Sequence, residues 1–91
     1  ETIDTLTFFK AMTLMNSNKL NDAKEILEDL YIKNDWDYQE PIRWYLSLIY
    51  LKQEDISNAR KVLIEITNTK SEHFQKSSAQ EILNKLDRNN I

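Results

Sequence analysis

The sequence predicts an all-α fold, and three features of it do so. Apolar residues recur every three or four positions along almost the whole chain, its 91 residues include no Gly and one Pro, and the breaks between periodic stretches are short polar clusters. A chain of this length forms one small domain, residues 1–91, or a piece of one, with a core near the lower limit of what folds alone.

Five helices follow in order. The first, over residues 2–16, sets Ile3, Leu6, Phe9, Met12 and Leu14 at helical spacing, and Asn16, Ser17 and Asn18 end it because such residues prefer turns. The second, over residues 21–33, has an apolar stripe of Leu20, Ala23, Ile26, Leu27, Leu30 and Tyr31. Its acids Asp22, Glu25, Glu28 and Asp29 lie on the wetter side. Residues 34–37, with Trp36 between two aspartates as a plug or a partner contact, form the longest loop.

Pro41 marks the start of the third helix, since proline is tolerated in a first turn, with Asp37 or Glu40 as its cap. Over residues 42–52 this helix carries Trp44, Tyr45, Leu46, Leu48, Ile49, Tyr50 and Leu51 and is apolar nearly all round, so other elements must surround it. The fourth, over residues 56–67, turns Ile56, Ala59, Val62, Leu63 and Ile66 inward. Ser71 caps the fifth, which runs over residues 71–88, buries Phe74, Ala79, Ile82, Leu83 and Leu86, and frays at the last three residues.

The chain repeats itself at an offset of 36 residues. Leu20 to Leu30 falls on Ile56 to Ile66, with Ala23 on Ala59 and Leu27 on Leu63; Phe8 and Phe9 fall on Trp44 and Tyr45, Ala11 on Ser47 and Met12 on Leu48. Paired helices at such a period are the mark of α-solenoids, in which each hairpin buries its apolar face on the next. Two hairpins, residues 2–33 and 38–68, plus a capping helix account for all five segments.

In order along each hairpin come a large residue, a small one a turn later, a large one, and an alanine where the helices cross. Trp44, Leu46, Ser47, Tyr50, Ala59, Leu63 and Ile66 meet this order, as do Phe8, Ala11, Leu14, Ala23, Leu27 and Leu30. On these residues the chain resembles the tetratricopeptide repeat family over residues 5–67. It departs from the family in the place of Trp44, in Lys10 where a large apolar residue is usual, in Asn18 and Glu54 where the turn has glycine, and in its longer period. The run Trp44-Tyr45-Leu46, with Leu48, Tyr50, Asp55, Ala59 and the last helix, is similar to the C-terminal repeats of bacterial members. That resemblance implies a TPR-like superhelix, a parent protein with an N-terminal membrane anchor or a regulatory role, and repeats outside the inner membrane. The compartment, cytoplasmic or cell envelope, is otherwise open.

Several chemistries are not expected. Without Gly there is no phosphate-binding loop or nucleophile elbow, and without Cys no disulfide or thiolate site. A net charge of −3 lacks the basic patch that nucleic acid requires. The longest apolar run, Leu48 to Leu51, is far short of a membrane span. The start at Glu1, with no Met and no signal-peptide pattern, suggests an excised domain or a processed product. His73 has only Ser77 at i+4, so neither a metal site nor a triad is expected, and pairs such as Glu25/Asp29 and Asp29/Asp35 read as solvated faces. No enzyme activity and no cofactor are expected.

The expected activity is protein or peptide binding. Phe8, Met12 and Met15 in the first helix and Trp44, Leu48 and Leu51 in the third each fall on one stripe, which in the family lines a concave groove. Core burial, or self-association as a homodimer that also covers the outer face of the first helix, is the alternative use of that stripe. Arg43 and Lys10 are the best-placed bases there, too few for a clamp on an acidic terminus.

Overall fold

The computed structural model describes residues 2–33, 39–69 and 75–89. Five helices make up the fold among these residues: α1 (Thr2–Asn16), α2 (Leu20–Lys33), α3 (Gln39–Lys52), α4 (Ile56–Thr67) and α5 (Lys76–Asn89). Their principal contacts run between neighbours in sequence: α1 on α2, α2 on α3, α3 on α4 and α4 on α5. The body measures 42 × 30 × 19 Å, and its thinnest dimension is about two helix diameters.

The repeat seen in the sequence recurs in the backbone. Asn18 and Glu54, 36 residues apart, have φ of 62° and 61°. At the first turn Asn18 N–H donates to the Met15 carbonyl at 3.0 Å and Lys19 N–H to that of Leu14 at 2.8 Å; at the second, Glu54 N–H donates to Leu51 at 3.0 Å and Asp55 N–H to Tyr50 at 2.8 Å. Both turns are Schellman motifs, closed by a left-handed residue that usually is glycine. Neither is glycine here, as the sequence led one to expect.

Helix starts follow local chemistry. Asp55 caps α4, its carboxylate accepting from Asn58 N–H at 3.4 Å and from the Asn58 amide at 2.8 Å. α3 begins two residues before Pro41, which leaves the proline in the first turn but puts Glu40 inside the helix rather than at its cap; Asp37 lies outside the described residues. α5 begins at Lys76 instead of residue 71, since Gln75 is in a turn and its carbonyl accepts the Ala79 N–H at 2.9 Å. Ser71, His73, Phe74 and Trp36 lie outside the described residues.

Small residues set the helix approach. Ala11, Ser47, Ala23 and Ala59 have no exposed surface at all. Larger side chains there would hold the helices apart, and Ser47 satisfies its hydroxyl by donating to the Trp44 carbonyl at 2.7 Å. Around them Leu27, Leu46, Ile49 and Tyr50 form the main core, Leu63, Ile66, Ala79 and Leu83 a second cluster between α4 and α5, and Leu30 with Ile42 a third. α3 contributes to two of the three clusters and packs Trp44 and Leu51 on the other, so the helix that is apolar nearly all round is surrounded as expected.

Three expectations of facing are corrected. Leu6 and Phe9, placed on the apolar stripe of the first helix, are 64% and 58% exposed; the inner face of α1 is Phe8, Ala11, Met12, Leu14 and Met15. Apolar residues occur on both sides of α1, and spacing alone does not say which side finds the core. Ile56, expected inward, opens α4 and stays partly exposed. Glu28, assigned to the wet face of α2, is half-buried because Tyr50 of α3 donates its phenol hydrogen to it at 2.6 Å.

Candidate functional site

The six stripe residues occupy three repeat-equivalent pairs: Phe8 with Trp44, Met12 with Leu48, and Met15 with Leu51. All six are half-buried. Phe8, Met12, Met15 and Leu51 pack on the main core, and Trp44 and Leu51 on the cluster that α5 shares. The Phe8 ring stands 6.2 Å from that of Tyr45 and 6.0 Å from that of Phe9, which links α1 to α3 through tilted aromatic contacts.

A polar cluster joins α2, α3 and α4. Tyr31 donates to the Glu65 carboxylate, both oxygens lying 2.7 Å from its hydroxyl, and Arg43 Nε stands 3.7 Å from Glu65 Oε1. Burial, then the hydrogen bond to Glu65, pushes the Tyr31 phenol up to about 12. Burial together with the Glu28 bond likewise raises Tyr50 well above the usual phenol range. Arg43 Nε and Gln39 Oε1 are buried without hydrogen-bond partners, although the Gln39 amide donates to the Leu30 carbonyl at 3.3 Å. Tyr31, Ile32, Arg43 and Glu65 line an open cleft of about 310 Å³, near the lower bound for small-molecule sites. With Glu65 already engaged by Tyr31 and Arg43, this cluster acts as a tie between helices.

The basic residues are not arranged as a clamp. Arg43 faces Glu65, and Lys10 shares a second open cleft with Asp22 and Glu25 on the α1–α2 side. Sequence reasoning did not find the Tyr31–Glu65 and Tyr50–Glu28 pairs. Their partners are 34 and 22 residues apart, and only the stacking of hairpins brings them together.

Among the described residues no group of three or more His, Cys, Asp or Glu side chains is placed to hold a metal ion. Glu25 and Asp29 are exposed, whereas Asp35 lies outside the described residues. No helix among those residues is long and apolar enough to cross a membrane. Comparison with protein-family models, with curated proteins and with solved structures finds no match.

Proposed function

We propose that this chain is a non-enzymatic protein-interaction module of tetratricopeptide-like architecture, which holds an apolar segment of a partner along Phe8, Met12 and Met15 of α1 and Trp44, Leu48 and Leu51 of α3. The observation that supports this reading is the half-burial of all six side chains at equivalent places in two successive hairpins. A stripe wholly sealed would be core, and one wholly exposed would lack a scaffold to fix its geometry. Partly buried side chains offer surface for contact on a rigid base, and the two methionines adapt that surface to a ligand. The ligand class is an apolar or amphipathic helix, or an extended peptide with apolar anchors, because Arg43 faces Glu65 and leaves no basic clamp for an acidic terminus.

Selection of peptides from a displayed library tests the reading, using Leu48→Glu as the counter-target. Leu48 is half-buried, so a charge there alters the stripe with little effect on the core. The expected binders carry apolar residues at helical spacing or alternating along a strand, and they weaken at least about tenfold on Leu48→Glu, a loss of about 1.4 kcal/mol. Binders that ignore the substitution, while the variant keeps its helical circular dichroism, refute the stripe as the site.

A further inference from the structure

We infer that the outer face of α1 receives the second helix of a further hairpin lying ahead of it in the same polypeptide, so that α1 is an inner helix of a longer stack. The two outer helices carry this inference because they differ. Every exposed residue of α5 whose side chain is described is polar, among them Glu81, Asn84, Lys85 and Arg88. α1 instead leaves Leu6 and Phe9 64% and 58% exposed. A helix that closes a stack turns a polar face to water, as α5 does and α1 does not.

The internal repeat shows what covers a face of this kind. Leu6 and Phe9 are the equivalents, 36 residues earlier, of Ile42 and Tyr45. Where the two hairpins meet, Ile42 is fully buried against Leu30 of α2 with Ile26 and Tyr31 of the same helix packed there, and Tyr45 packs on the main core. Polar groups follow the same arrangement. Tyr31 donates across this joint to Glu65 at 2.7 Å, and the equivalent of Glu65 is Asp29, an exposed carboxylate at the place where an incoming hairpin would bring a donor. Lys10 is the one exposed charge of α1 among the described residues, and it stands where α3 has the buried Leu46. It lines a cleft with Asp22 and Glu25 of α2, so an incoming helix covers its stem while the ammonium turns to those carboxylates. The occupant is accordingly a helix of the α2 kind, with apolar side chains at the places of Ile26, Leu30 and Tyr31.

A chain with residues 1–36 repeated ahead of the 91-residue sequence sets an added hairpin at the spacing of the repeat and tests this. The sequence has no Cys, so Phe9→Cys, made in the α1 that follows the added hairpin, places a single thiol on the face. Its reaction with a thiol reagent is expected to slow at least about tenfold relative to Phe9→Cys in the 91-residue chain, because a docked helix must open before the thiol reacts. Glu81→Cys on α5 should react equally fast in both chains. The comparison is repeated with Lys10→Leu, the residue type that the repeat has there, so that burial of one charge does not decide the result. Labelling at residue 9 that is no slower in the extended chain with either residue at position 10 overturns the inference, as does equal slowing at residue 81. Labelling of the 91-residue chain that slows as its own concentration rises means that a second copy covers the face, and overturns it too.

Discussion

Replacing Glu54 by glycine should make the protein more stable. Glu54 holds φ at 61° to close the turn between α3 and α4, where the N–H of Asp55 reaches the Tyr50 carbonyl. A left-handed conformation costs a residue with a Cβ about 1–2 kcal/mol. Glycine removes that cost, but its greater freedom in the unfolded chain returns about 0.5–1 kcal/mol. The net gain is about 0.5–1 kcal/mol, or a rise in Tm of about 2–8 °C for a chain of this size. Urea and thermal melts followed by circular dichroism at 222 nm measure it, with two controls. Glu54→Ala keeps the Cβ and removes only the charge, so it should show no such gain. Asn18→Gly, at the equivalent turn with φ of 62°, should change stability by less than about 0.5 kcal/mol, because asparagine tolerates this region. A Glu54→Gly variant no more stable than Glu54→Ala would refute the reasoning.

The repeat predicts a second stabilising change. Asp55 caps α4, whereas its equivalent before α2 is Lys19, which cannot accept from a backbone N–H; Lys19→Asp should add about 0.5–2 kcal/mol, read as a higher urea midpoint at unchanged m-value. Ala59→Leu puts a large side chain where no surface is exposed and should cost about 1–3 kcal/mol by the same melts, whereas a neutral result would mean that the helices are not held at contact there. Alkaline titration followed by phenolate absorbance should show a component near pH 12 that Tyr31→Phe removes. Because the folded-state value lies above that of the unfolded chain, near 10, the unfolded form sheds its proton first; the contribution of Tyr31 is complete below about pH 10 and is lost as pH rises toward 12.

Much of the fold was legible because the determinants are local. α1 and α4 have the bounds that periodicity indicates, and Asn18 and Glu54 stood out as turn closers once the 36-residue register aligned them. Helix starts were harder: polar residues cluster before both α3 and α5, offering several possible caps, and periodicity does not choose among them. Facing failed for Leu6 and Phe9 because periodicity marks a stripe without saying what covers it. In α3 the preceding hairpin buries the same positions, whereas α1 has no described helix on that side. For the candidate stripe, sequence identified which residues share a face but not their depth. Trp44 and Leu51 owe part of their depth to the second cluster, which residues of α4 and α5 build together far along the chain.

Packing between neighbours in sequence also shapes how the chain folds. Each helix meets its main partner across a short connection, so few contacts require distant parts of the chain to find each other first. Low contact order of this kind belongs to fast folders, in the microsecond to millisecond range. α3, packed from both sides, is where order should persist longest, with α1 and α5 opening first. Amide hydrogen exchange would then run as a gradient from α1 and α5 toward α3, and a partner held along the stripe that α1 and α3 share would slow exchange most in α1, the less firmly packed of the two.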